Sequence, residues 1–128
     1  KNSYGKNNII FKGKCTRDET LGYILRSKYL IQPSVMYETF GLSMIEAMSY
    51  GVPVIGYDIG TRGDFIEDGV NGFISTDSSL LKVIKESYYA ENYELLSKNA
   101  VKRARLFEND FIIKMQIDYY QKILNNDL

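Results

Sequence analysis

Apolar positions fall into two regimes along the chain. From Ile9 to about Leu80 short apolar runs alternate with helical stretches, and beyond Ser78 the spacing is helical throughout. The first regime predicts βαβ units and a parallel sheet buried on both faces. Asn8-Ile9-Ile10-Phe11, ending at Gly13, predicts a strand, and Thr16-Arg17-Asp18-Glu19 has capping-box spacing that opens a helix to about Arg26. Tyr29-Leu30-Ile31-Gln32 predicts the next strand, stopped by Pro33. A loop from Ser34 to Phe40 then leads into a helix from about Gly41 to Tyr50, which Gly51 caps. Pro53 to Gly56 is a third strand, Arg62 to Glu67 a short helix, Asp68-Gly69 a turn and Gly72 to Ile74 a fourth strand.

In the helical remainder, Leu80, Leu81, Val83 and Ile84 recur at helical spacing, as do Tyr93, Leu96, Ala100 and Ala104, and then Phe111, Met115, Tyr119 and Ile123. For the last helix, Phe111 to Leu124, core packing is expected ahead of a membrane or domain contact. With no repeat, linker or low-complexity tract, residues 1–128 predict one α/β domain, a Rossmann-like parallel sheet flanked by helices.

Composition narrows the chemistry. At 45% hydrophobic and 25% charged, the 128 residues suffice for one globular domain with a core. Sixteen Lys+Arg balance sixteen Asp+Glu, so no whole-domain positive field exists to hold nucleic acid. Lys98, Lys102, Arg103 and Arg105 lie near Glu91, Glu94 and Glu108, which predicts a solvated helix face. Cys15 is the only cysteine, which excludes an internal disulfide and a thiolate metal cluster. The absence of histidine excludes a Ser-His-Asp or Cys-His nucleophile and the usual zinc site. No metal or cofactor is expected, and any chemistry must use carboxylates, backbone dipoles or a bound ligand. No apolar run approaches the roughly 20 residues of a membrane span, and Lys1 to Asn8 is too polar for a signal peptide. A cytoplasmic location is expected, peripheral on the inner face of the cell membrane in a full-length enzyme.

In a doubly wound sheet, ligands bind beyond the carboxyl ends of the strands. That leaves three loops: Gly13 to Asp18, Pro33 to Ser43 and Tyr57 to Asp64. The middle loop delivers Gly41, with no side chain, to a helix start. There free N–H groups and the positive end of the dipole suit an anion such as a diphosphate, although a glycine that merely turns the chain explains the same residue. Glu38 precedes that helix, and Glu46 lies one turn inside it among Leu42, Met44, Ile45, Ala47 and Met48. Either carboxylate fits a solvent-facing acid stabilised by the dipole. Either also fits an acceptor for a diol, at about 1.5–3 kcal/mol per charge-assisted bond.

The stretch Glu38-Thr39-Phe40-Gly41-Leu42-Ser43-Met44-Ile45-Glu46-Ala47-Met48, followed by Gly51-Val52-Pro53-Val54-Ile55 and by Glu67-Asp68-Gly69-Val70-Asn71-Gly72-Phe73, resembles the signature of the family 4 retaining glycosyltransferases. The resemblance runs from about Asn8 to the last helix. It implies an enzyme of the GT-B type with two facing Rossmann-like domains, whose C-terminal one binds the nucleotide-sugar. By that resemblance Glu38 contacts hydroxyls of the transferred sugar, a catalytic position, and Glu46 holds the ribose hydroxyls. The backbone at Phe40, Gly41 and Leu42 meets the sugar and diphosphate, and Gly13 and Lys14 lie along the base. Lys14 read on its own is equally a plain surface residue.

The chain also departs from the family pattern. Where the family commonly has a Gly-Gly pair and a glutamate, the loop reads Asp58-Ile59-Gly60-Thr61-Arg62-Gly63-Asp64, so that only Gly60 and Asp64 match, and Arg62 is expected to be a surface charge. The opening unit that supplies an arginine and a lysine to the diphosphate in the family is not found before Asn8. The expectation is therefore a hexose or N-acetylhexosamine transferase domain with a UDP-sugar favoured, lacking its N-terminal acceptor domain and inactive alone. The acceptor expected is a glycan or lipid-linked glycan of a surface polysaccharide such as O-antigen. The resemblance implies no enzyme nucleophile, the leaving diphosphate helping to deprotonate the acceptor. Two rivals are a non-catalytic nucleotide-binding domain and, less favoured, a glycoside hydrolase using the paired carboxylates.

Overall fold

The structure is a computed structural model that describes residues 9–76 and 79–125. Its elements are α1 (Arg17–Ile24), β1 (Leu30–Gln32), α2 (Leu42–Ser49), β2 (Val54–Tyr57), α3 (Arg62–Phe65), β3 (Gly72–Ser75), α4 (Leu80–Tyr88), α5 (Tyr93–Ala104), a 3₁₀ turn at Arg105–Phe107 and α6 (Asn109–Leu124). The strands form one parallel sheet in the order β1-β2-β3, with Ile31 opposite Ile55 and Ile55 opposite Phe73. This is the Rossmann-like architecture expected from the alternating pattern.

Local chemistry sets the ends of the helices. Thr16 caps α1 through the reciprocal capping box, its own N–H donating to Glu19 Oε2 at 2.8 Å while Glu19 N–H donates to Thr16 Oγ1 at 3.3 Å. The Thr16 N–H bond to Oε2, joined by a second from the Thr16 hydroxyl at 3.0 Å, holds the Glu19 pKa below its ordinary value. At the far end of α2, Gly51 takes φ +74°. Its N–H donates to Met48 O and Val52 N–H donates to Ala47 O, a Schellman closure that turns the chain straight into Pro53 and β2.

The core lies where α2 packs on α5 and on β2. Met44, Ala47 and Met48 of α2, Ala100 and Ala104 of α5, and Val54 of β2 are buried together. Leu96 is fully buried as well, so the predicted stripe on α5 is an inward face. Ile55 points away from that cluster by strand alternation, and α4 lies against β2 and β3. Phe40, Phe65 and Phe107 form an edge-to-face cluster, with Phe65 and Phe107 centroids 4.9 Å apart.

Two predicted elements differ from what is seen. Ile9, Ile10 and Phe11 form no strand, and they are 60%, 70% and 78% exposed. The described sheet ends at β1 on one side and at β3 on the other, and neither strand pairs with this segment. The second difference is α6, which buries no residue: Phe111, Met115, Tyr119 and Ile123 are all 41% exposed or more. Its stripe is real, but no described element covers it, and core packing is not its role among the described residues.

No helix among the described residues is long and apolar enough to cross a membrane.

Candidate functional site

The loop after β1 returns to the sheet at the start of α2, and three contacts fix its path. Thr61 donates to Glu38 O through both its N–H and its Oγ1, each at 3.2 Å. The backbone of Gly60, at φ +66°, presses on the same residue so closely that a Cβ there would lie 2.6 Å from Glu38 O and 2.7 Å from Glu38 N. Arg62 Nη2 donates to Met36 O at 3.1 Å. The loop after β2 is thus the mould for the loop after β1, and the close approach at position 60 requires a glycine.

That mould aims the Glu38 side chain at the helix start. Glu38 Oε1 accepts from Gly41 N–H at 3.1 Å, and Gly41 is the N-cap residue at φ +72° with no side-chain cap of its own. The amides of Leu42 and Ser43 find no acceptor among the described residues. The opening of α2 therefore already holds one carboxylate and still offers free N–H groups to an anion.

Glu46, one turn further, faces a cavity of about 570 Å³. Leu42, Ile45 and Ser49 line it from α2, Arg17 from α1, and Val101, Ala104, Arg105, Phe107 and Glu108 from the C-terminal side. Arg17 Nη2 donates to Glu46 Oε1 at 3.1 Å. Arg105 reaches the same cavity and makes no ion pair among the described residues.

Of the seven expected site residues, Glu38, Phe40, Gly41, Leu42 and Glu46 lie along one loop-to-helix segment. Leu42 and Glu46 share the cavity, while Glu38 and Gly41 are bonded to each other just ahead of it. The Phe40 ring packs on Phe65 and Phe107, which leaves its backbone for a ligand. Gly13 and Lys14 lie apart on an exposed segment: Gly13, at φ +67°, has open space around it, and neither residue lines the cavity.

One expectation is corrected outright. Arg62 is not a surface charge but is fully buried, with only Nη2 bonded and with Nε and Nη1 without partners among the described residues. The short helix α3 turns it inward past Gly56, beneath the loop that carries Glu38. Arg17 and Arg105 were not singled out as site residues. Arg17 did carry a signal, because a guanidinium at the first position of a helix opposes the dipole and needs a reason from elsewhere in the fold.

No group of His, Cys, Asp and Glu side chains among the described residues is arranged to hold a metal ion.

Comparison with known proteins gives a consistent family. The profile of the family described as "Glycosyl transferases group 1" matches residues 2–107. The GtfA subunit of the UDP-N-acetylglucosamine–peptide N-acetylglucosaminyltransferase of Streptococcus pneumoniae is 32% identical over 98 residues, which are 71% of this chain and 20% of that protein. Sucrose-phosphate synthase from Thermosynechococcus elongatus superposes with a TM-score of 0.71 at 25% identity, covering 93% of this chain and 31% of that one. Anabaena HepE, solved with UDP-glucose, superposes with a TM-score of 0.64 at 25% identity, covering 78% of this chain and 29% of that one. The chain thus spans about a third or less of the length of each of these proteins.

Proposed function

Because the chain belongs to the glycosyl transferases group 1 family, we propose that it is the donor-binding, C-terminal domain of a retaining GT-B hexosyltransferase that takes a UDP-sugar. The observation that carries this reading is the arrangement at α2. Free amides and a helix dipole open onto a place for a diphosphate, Glu38 stands at that opening, and Glu46 stands one turn on beside a cavity of about 570 Å³. GtfA and HepE, both similar to this chain, have been solved with UDP and a sugar or with a UDP-sugar, which favours uridine over other bases.

In this reading the diphosphate takes the amides of Leu42 and Ser43 and competes with the Glu38 carboxylate for that of Gly41. Released from the amide, Glu38 accepts hydrogen bonds from hydroxyls of the transferred sugar, and Glu46 accepts those of the ribose. Each bond to an ionised carboxylate contributes about 1.5–3 kcal/mol. Gly13 and Lys14 border the base. The departing diphosphate is stabilised by preorganised amides and by cations rather than by an acid of raised pKa. The acceptor is a glycan or lipid-linked glycan of a surface polysaccharide, held by an N-terminal domain.

The test is a calorimetric titration of the chain with UDP, GDP and ADP, with Glu46→Ala as control. UDP is expected to bind most tightly, and Glu46→Ala to lose roughly tenfold or more, the equivalent of one charge-assisted bond. Equal affinity for the three nucleotides, or an unaltered Glu46→Ala variant, overturns the reading.

A further inference from the structure

Arg17 is out of place by local physics. It follows the N-cap of α1 directly, where Asp18 and Glu19 suit the positive end of the dipole and a guanidinium does not. Its one ion pair among the described residues, to Glu46 across 29 positions of sequence, joins side chains that are 85% and 32% exposed. A pair so exposed adds little to fold stability. What it does fix is the orientation of one carboxylate: Glu46 Oε1 is held by Arg17 Nη2, Oε2 has no partner among the described residues, and both side chains line the same cavity.

We propose that Arg17 is a positioning residue for nucleotide recognition, holding Glu46 turned so that its second oxygen accepts the ribose diol. The proposal rests on the reading that Glu46 receives those hydroxyls. Arg17 touches Glu46 and not the nucleotide. Its effect must therefore pass entirely through Glu46 and appear only with a ligand that has the diol. A residue that merely steadied α1 would affect every nucleotide alike, and one that competed with the ribose would improve binding when removed.

The experiment is a cycle of wild type, Arg17→Gln, Glu46→Ala and the double variant, each titrated calorimetrically with UDP and with 2′,3′-dideoxy-UDP. Arg17→Gln is expected to weaken UDP roughly two- to fivefold, the range of an exposed ion pair. It should leave the dideoxy nucleotide unchanged and add nothing to Glu46→Ala. Unchanged or tighter UDP binding by Arg17→Gln overturns the proposal, as does equal weakening of both nucleotides or a further loss in the double variant. If wild type binds no UDP, or if Glu46→Ala binds UDP as wild type does, the underlying reading fails and the proposal with it. A Glu46→Ala loss confined to UDP, beside a silent Arg17→Gln, sinks the proposal alone.

Discussion

Replacing Gly60 with alanine tests whether the loop after β2 moulds the loop that carries Glu38. Gly60 sits at φ +66°, and a Cβ would stand 2.6 Å from Glu38 O and 2.7 Å from Glu38 N. The left-handed conformation costs an L-residue about 1–2 kcal/mol. Overpacking against backbone, which no rotamer change relieves, adds about 1–3 kcal/mol. Gly69 isolates the first contribution, because it has φ +71° with no atom within 4 Å of its added Cβ. Unfolding entropy of about 2.1 cal/mol/K per residue over 128 residues makes each kcal/mol roughly 3–4 °C in Tm. Gly69→Ala should therefore lower Tm by about 3–8 °C and Gly60→Ala by about 6–20 °C, followed by far-UV circular dichroism on heating. Gly60→Ala should also weaken UDP-sugar binding more than UDP binding, because the displaced residue is Glu38. Melting of the two variants within about 2 °C of each other would refute the close approach.

Other consequences follow from the same contacts. Leu96→Ala, at a fully buried position of α5, should cost about 2–5 kcal/mol in denaturant unfolding, whereas Leu81→Ala, at an exposed position of α4, should stay within about 0.5 kcal/mol. Arg62→Met removes a buried guanidinium with two unpartnered nitrogens, so stability should hold or rise; a loss above about 3 kcal/mol would show that the charge is paired in the folded protein. Glu19 has its pKa lowered by the capping bonds from Thr16, so its stabilisation is complete above the ordinary value of 4.5 and disappears as pH falls through the lowered one. The stability gap between wild type and Glu19→Gln should therefore close in acid below pH 4.5, and a gap that persists at the lowest pH would contradict the capping role.

What could be read from sequence was whatever short-range rules decide. Thr16 and Glu19 close their box within three residues, Gly51 ends α2 by its own φ, and Leu96, Ala100 and Ala104 mark an inward face by spacing. The failures came where a partner several elements away decides the outcome. Ile9-Ile10-Phe11 has the composition of a strand but pairs with no described strand, and α6 has a regular stripe with no described surface to bury it. Arg62 looked like a surface charge because nothing within its own helix shows that α3 turns it under the loop at Met36. Of the candidate site, Glu38, Gly41 and Glu46 were singled out by the family resemblance, since their order around one helix start equally fits a plain turn and solvent-facing acids; the structure places them along one loop-to-helix segment. The Arg17–Glu46 pair was not legible, since 29 positions of sequence separate the two and only the fold brings the start of α1 within reach of α2.

A crystal structure of the chain soaked with a UDP-sugar tests the central claim most directly. The diphosphate should rest on the amides of Leu42 and Ser43, with Glu46 on the ribose and Glu38 turned from Gly41 N–H to the sugar. A ligand bound elsewhere, with Glu38 still on Gly41 and Glu46 facing only Arg17, would contradict the account.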